Sequence, residues 1–374
     1  MRRAAAFLPL ALLLASLAAA QPLADYDRAI LVEPTTGTVL FAKNVDKPAP
    51  IASMTKMMTA LVVLDLIEAG KLDWNDPVSA SAYASRMGGS QVYLRHREVF
   101  PVRSILAAVL VQSANDAAQA LAEHVGGGSD EPFVRMMNAK ARALGLRETR
   151  FTSPHGLPDG ERPDDVSSPR DLWRLGWELM KHPEARKLVS TEKMPFRNGE
   201  FILWNPNNLL ERYEPAIGIK TGTHDRAGSC VTAAAKKGDM TLIAVVMGAG
   251  QRNAMFAEVE RMFEEAFAEY EVIEPVRKGT PAARALPVAG GRVPTVAAVA
   301  GADARIVVAK DETTLISTAI QTARPPAPVE KGERVGWIVV SKQGTPIGRV
   351  PLVATAAVPA RTWLQTFWDH VWPW

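Results

Sequence analysis

The chain has 374 residues, 47% hydrophobic and 22% charged, a length that argues for two domains and a composition too apolar for a disordered protein. Lys and Arg number 43 against 40 Asp and Glu, a net charge of +3, without the basic surplus of a nucleic-acid binder. Cys230 is the sole cysteine, which excludes an intramolecular disulfide and a cysteine-based zinc finger.

Met1–Ala20 reads as a secretory signal: Arg2 and Arg3, an apolar run from Ala4 to Leu17, then Ala18-Ala19-Ala20 as a small-residue cleavage site. Its removal leaves 41 basic against 40 acidic residues, a net charge of +1. The mature chain is therefore expected outside the cytoplasm. Ala29–Leu31 and Thr38–Phe41 predict two strands around the turn 33–37. Ser53 opens an apolar helix to Glu68, with Gly70 closing it. Ile105–His124 reads as one long apolar helix, followed by helices at Pro132–Leu144 and Asp171–Lys181. Ser229–Ala235 and Thr241–Met247 predict adjacent strands, and Ala257–Tyr270 a helix. Beyond Glu274, short apolar runs alternate with Gly, Pro and charged turns, the texture of a small all-β domain. Four of the nine tryptophans lie between Trp363 and Trp374, and at helical spacing Trp363, Leu364, Phe367, Trp368, Val371 and Trp372 share one face. A helix of that kind suits a membrane interface. The expected layout is a signal at 1–20, a catalytic domain at 21–270, a β-rich domain at 274–355 and an amphipathic membrane-associating helix at 357–374.

Three short motifs stand in order: Ser53-Met54-Thr55-Lys56 at the start of the first helix, Ser113-Ala114-Asn115, and Lys220-Thr221-Gly222 just before the strand at 229–235. A serine hydroxyl is a weak nucleophile at neutral pH and needs a base. On a helix Ser53 and Lys56 are i, i+3 and share a face. Only a neutral amine accepts the proton, and burial with a second cation such as Lys220 would lower the lysine pKa. Polar positions inside an otherwise apolar segment are costly without partners, so Ser113 and Asn115 are expected to be engaged. A second Ser-x-x-Lys, Ser190 to Lys193, lies in a polar stretch before Pro195 and opens no apolar helix; it reads as surface structure.

The ordered set resembles the penicillin-recognising serine enzymes, whose motifs are Ser-x-x-Lys, Ser-Asp-Asn and Lys-Thr-Gly. It is most similar to the low-molecular-weight penicillin-binding proteins, the serine-type D-alanyl-D-alanine carboxypeptidases, across nearly the whole mature chain. The likeness rests on 51–59, on Ser113-Ala114-Asn115-Asp116-Ala117, on Ser153-Pro154-His155-Gly156-Leu157 and on 218–222. It implies an α/β (α+β) transpeptidase/β-lactamase-like catalytic domain, an antiparallel sheet flanked by helices, plus a small all-β C-terminal domain. It implies a substrate, the peptidoglycan pentapeptide ending in D-Ala-D-Ala, inhibition by β-lactams, attachment to the inner-membrane surface, and no metal or organic cofactor. Ser53 would be the nucleophile, Lys56 the base, and Ser113 a proton shuttle to the departing D-Ala. Asn115 would hold the substrate amide, and Lys220 and Thr221, beside Gly222, the terminal carboxylate. The backbone N–H groups of Ser53 and Thr223 would form the oxyanion hole. Ala114 replaces the usual Asp or Gly. His224 follows Thr223 where several relatives place His first, so a turn role competes with one in deacylation. Arg252 lies one helical turn before Met255-Phe256, where relatives often carry an Arg.

A class A β-lactamase requires a deacylating glutamate in a Glu-x-x-Leu-Asn context, and no Glu between Asn115 and Lys220 has Asn four residues on. A non-catalytic wall scaffold is at odds with the intact reactive side chains. A zinc peptidase lacks its His-Glu-x-x-His helix.

Overall fold

The computed structural model describes residues 24–158, 160 and 162–362. The segment expected to be a signal and the tryptophan-rich segment from Trp363 onward, expected to be a helix, lie outside the described residues. The described residues form two compact units that meet in the chain at Ala268 and Glu269.

The first unit is built on a five-stranded antiparallel sheet. In chain order its strands are β1 (Arg28–Glu33), β2 (Thr38–Lys43), β5 (Ala216–His224), β6 (Gly228–Lys237) and β7 (Met240–Ala249); β3 (Lys193–Phe196) and β4 (Phe201–Trp204) make a separate hairpin. The order across the sheet is β2-β1-β7-β6-β5, which leaves β5 at an edge. The main helices are α1 (Lys56–Glu68), α2 (Val102–Ala107), α3 (Asn115–Gly126), α4 (Glu131–Ala143), α5 (Pro169–Met180), α6 (Pro183–Val189) and α7 (Arg252–Glu269).

Strand alternation divides the sheet's apolar residues between two faces. Ile30, Val32, Ile243, Val245 and Met247 join the core that also holds Met57, Leu61 and Leu64 of α1 and Leu172, Leu175 and Leu179 of α5. The alternate residues Leu31, Leu242, Ala244 and Val246 are equally buried. So β7 is almost continuously apolar, as a strand covered on both faces must be. Outside that core, α7 buries Met255, Phe256, Val259, Met262 and Phe263, and Tyr26 donates to Glu258 of α7 at 3.3 Å.

One expectation is corrected and another completed. The helix expected at Ile105–His124 is broken: α2 runs into a π-turn at 108–112, Ser113 takes a left-handed φ of 63°, Ala114 is extended, and α3 begins at Asn115. The segment around Lys220, Thr221 and Gly222, read only as leading up to the strand at 229–235, is itself a strand, edge strand β5, and β6 follows it as expected.

The second unit carries β8 (Tyr270–Val276), β9 (Ala298–Ala300), β10 (Ala304–Ala309), β11 (Ile316–Thr322), β12 (Arg334–Lys342) and β13 (Thr345–Ala354). β8 pairs with β10, and a four-stranded antiparallel sheet runs β9-β13-β12-β11. Its core gathers Leu286, Val296, Val335, Val340, Val350 and Leu352. Residues 357–362, counted with the C-terminal helix from sequence, are extended instead: Val358 exchanges backbone hydrogen bonds with Val329, and Arg361 N–H donates to the Gly290 carbonyl. Pro359 favours the extended form over a helix. No helix among the described residues is long and apolar enough to cross a membrane.

Candidate active site

Ser53 lies in a 3-10 turn, Ala52–Thr55, that feeds directly into α1, so the α-helix proper begins at Lys56 rather than at Ser53. Ser53 makes no capping bond to the helix, which removes the simplest structural reason for a serine there. Lys56 is fully buried. Its Nζ lies 2.9 Å from Ser53 Oγ, 2.6 Å from Asn115 Oδ1 and 2.7 Å from the His155 carbonyl.

Those three partners differ in kind. A neutral amine has two N–H bonds and one lone pair. Asn115 Oδ1 and the His155 carbonyl can only accept, so they take both hydrogens. Asn115 is fixed in that orientation because its Nδ2 donates to the Gly88 carbonyl at 2.8 Å. Ser53 alone can donate, so the lone pair of a neutral Lys56 faces the Ser53 hydroxyl. Burial, and then the charge of Lys220, hold the Lys56 pKa well below the ordinary lysine value; Asp165 and Asp116 oppose that shift. The arrangement can take a proton from serine.

The helix break presents the second motif. Ser113 stands in the left-handed region, where a non-glycine residue costs about 1 kcal/mol or more. Its hydroxyl accepts from Lys220 Nζ at 2.8 Å, and Lys220 also donates to the Thr221 carbonyl at 3.0 Å. Lys220 is buried, and burial with the nearby Arg252 cation pulls its pKa down to about 7. Arg252 is half-buried, lies over the Phe256 ring and donates to the Pro206 carbonyl. Gly222 explains how β5 comes so close to the serine turn: a Cβ there would stand 3.1 Å from Ser53 N and closer still to the Ile51 carbonyl. Thr221 is buried and Thr223 exposed on the same edge strand. The structure thus joins Ser53, Lys56 and Asn115 in one hydrogen-bonded cluster and Ser113 and Lys220 in another, with Gly222 packing β5 on the serine turn.

Asp165 was not found from sequence, because a lone aspartate in a Pro-Asp-Asp loop carries no spacing signal. It is buried and accepts from Thr55 Oγ1 at 2.8 Å, Ser153 Oγ at 2.8 Å and the Thr152 amide at 2.5 Å. Burial raises its pKa, against the pull of those hydrogen bonds. It ties the turn after Ser53 to the loop whose His155 carbonyl holds Lys56. His224 accepts from the Ala227 amide at 3.2 Å across the β5–β6 turn, a turn role. Cys230 is buried, with its thiol pushed up to about 11 by burial. Among the described residues, the sole grouping of three potential metal donors is Asp65, Glu68 and His182. It lies at the end of α1 opposite Lys56, and Asp65 already pairs with Lys140 and Glu68 with His182.

Comparison with known proteins agrees with this geometry. Residues 15–251 match the D-alanyl-D-alanine carboxypeptidase family model, and residues 270–360 match the C-terminal domain of penicillin-binding protein 5. The chain is 34% identical to the D-alanyl-D-alanine carboxypeptidase DacF of Bacillus subtilis over 87% of this chain and 84% of that one. It is 30% identical to DacC of Escherichia coli over 94% and 88%. Penicillin-binding protein 5 from Haemophilus influenzae superposes with a TM-score of 0.82 at 29% identity, over 91% of this chain and 99% of that one. Penicillin-binding protein D2 from Listeria monocytogenes, solved with ampicillin and with cefotaxime bound, superposes at 0.60 with 30% identity, over 67% and 99%.

Proposed function

The chain belongs to the D-alanyl-D-alanine carboxypeptidase family and is a serine peptidase, and from that premise we propose that it removes the terminal D-alanine from peptidoglycan pentapeptides by way of an acyl-enzyme on Ser53. The observation that carries the residue assignment is the Lys56 amine, buried, with both hydrogens spoken for and its lone pair on Ser53 Oγ. Ser53 Oγ attacks the carbonyl of the penultimate D-Ala while its proton passes to Lys56 Nζ. The backbone N–H groups of Ser53 and Thr223 receive the oxyanion. The C–N bond then breaks, and the Lys56 proton is relayed through Ser113 to the departing D-Ala amine. Water attacks the ester carbon while Lys56 takes its proton, the bond from the acyl carbon to Ser53 Oγ breaks as Lys56 returns that proton to Oγ, and the shortened peptide leaves.

Lys220 and Thr221 bind the terminal carboxylate on the β5 edge, and Gly222 sets the approach of that edge. Asn115 orients Lys56 with its oxygen; of its two amide hydrogens, Gly88 takes one, and the other serves the substrate. β-Lactams, which present a carbonyl and a carboxylate in the same relation, acylate Ser53. The predicted leader and the tryptophan-rich C-terminal segment support a periplasmic enzyme held at the inner-membrane surface. Intact mass spectrometry after brief exposure to benzylpenicillin tests the assignment: a persistent single adduct is expected, absent in Ser53→Ala. An adduct that survives the substitution overturns Ser53 as nucleophile, and one that disappears within seconds favours a β-lactamase.

A further inference from the structure

The β3–β4 hairpin turns one face to solvent beside the active site. Its register pairs Lys193 with Trp204 and Pro195 with Ile202, and all four are exposed while Phe196 and Leu203 on the other face are buried. Trp204 is 59% exposed, unusual for the side chain with most to gain from burial. Its position is fixed on two sides. The Trp204 amide donates to Gln112 Oε1 at 2.7 Å, and the Lys193 ammonium lies 5.2 Å from the indole centroid.

Gln112 is the residue before Ser113, and its own carbonyl accepts from Ser90 Oγ at 2.7 Å, while the Ser90 carbonyl accepts from the Asn115 amide at 2.7 Å. The exposed indole is therefore continuous with the backbone that presents Ser113 and Asn115. A substrate that extends beyond its reacting dipeptide has this face as a neighbouring surface. The face is open and shallow, so it does not enclose an apolar side chain. A flat aromatic ring beside an ammonium donor suits a ligand with one apolar C–H face and a rim of hydroxyl and amide oxygens. That is the description of a pyranose ring.

We propose that the Trp204–Lys193 face binds the saccharide carried by the peptidoglycan stem peptide, so that this enzyme distinguishes glycan-linked from free peptide. The inference rests on the carboxypeptidase reading above. Binding energy from a remote part of the substrate then lowers KM for the glycan-linked form.

The test compares two substrates of the full-length enzyme: a free acylated tripeptide ending in D-Ala-D-Ala, and the pentapeptide attached to its N-acetylglucosamine–N-acetylmuramic acid disaccharide. Trp204→Ala is expected to lose about five- to tenfold in kcat/KM on the disaccharide substrate, through KM, with Trp204→Phe recovering most of it. Both variants should match wild type on the tripeptide and in acylation by benzylpenicillin. Ile202→Ser, which keeps the indole, should show a smaller loss in the same direction. Equal losses on both substrates, or slower acylation, would mean that the hairpin only props up Ser113 and overturn the proposal. So would equal kcat/KM ratios in wild type and Trp204→Ala. A wild-type chain that hydrolyses neither substrate and forms no penicillin adduct sinks the carboxypeptidase reading, and this inference with it.

Discussion

Ser53–Lys56 and Ser190–Lys193 share one spacing and have opposite fates. In the first, the lysine is fully buried, the serine sits in a turn opening a 13-residue apolar helix, and three partners converge on one amine. In the second, Ser190 closes α6 and donates to the Lys187 carbonyl at 3.2 Å, while Lys193 lies on an exposed strand over Trp204. An exposed ammonium keeps its hydration, whereas burial, and then the charge of Lys220, press Lys56 toward its neutral form. The spacing alone is common, and chemistry arises where desolvation and a second cation act on it.

The largest way to break the comparison is at the buried amine. Lys56→Gln is expected to slow benzylpenicillin acylation by about 10³-fold, the scale of a general base, while Ser190→Ala leaves the acylation rate at the wild-type value. Stopped-flow or mass-spectrometric acylation kinetics read both. Next comes the approach of the two backbones. Gly222→Ala places a methyl against Ile51 and Ser53, and a displacement of that order near a nucleophile costs about 10²-fold in rate. Gly199→Ala, in the turn joining β3 and β4, meets nothing within 4 Å, but its φ of +95° disfavours any side chain. It should lower the melting temperature slightly and leave acylation unchanged.

How far the sequence shows this contrast depends on what was local. The apolar run after Ser53 and the nearly unbroken apolar run in 240–249 announce α1 and β7 because burial is written in their own residues. Residues 216–224 do not read as a strand: Gly218, Lys220, Gly222 and His224 weaken the pattern, and the strand forms because β6 supplies a partner along its length. The helix break at Ser113 is equally invisible, since Ile105–His124 has good helical spacing and the left-handed Ser113 is held by its tertiary contact to Lys220, with Ser90 bonded to its neighbours Gln112 and Asn115. Asp165 reaches Thr55 across 110 positions of sequence, a pairing that no window along the chain contains. Asp165→Asn leaves donors from three residues competing for a poorer acceptor. It should cost about 1–3 kcal/mol of stability, read as a lower denaturation midpoint, whereas the exposed serine–lysine pair has no counterpart to lose.

The smallest effect separates the two buried lysines. With Lys220 titrating at about 7, its charge is largely present at pH 6 and mostly lost by pH 8. The carboxylate-binding cation disappears as pH rises, so kcat/KM for a carboxylate-bearing peptide should fall about fivefold between pH 7 and 8. Lys56 works in its neutral form, which rising pH favours directly; loss of the Lys220 charge relaxes only the lesser cause of its lowered pKa, and burial, the larger, remains. The two lysines therefore predict limbs of opposite sign. Stability moves against activity. Between about 7 and the ordinary lysine value of 10.5 the unfolded chain binds more protons at position 220 than the folded one, so this position's contribution to stability rises with pH across that window. Lys220→Arg keeps a cation throughout the range. The falling limb should vanish in that variant even where the longer side chain lowers the absolute rate. A limb near 7 that persists in Lys220→Arg would assign it to another group and remove Lys220 as the carboxylate's partner.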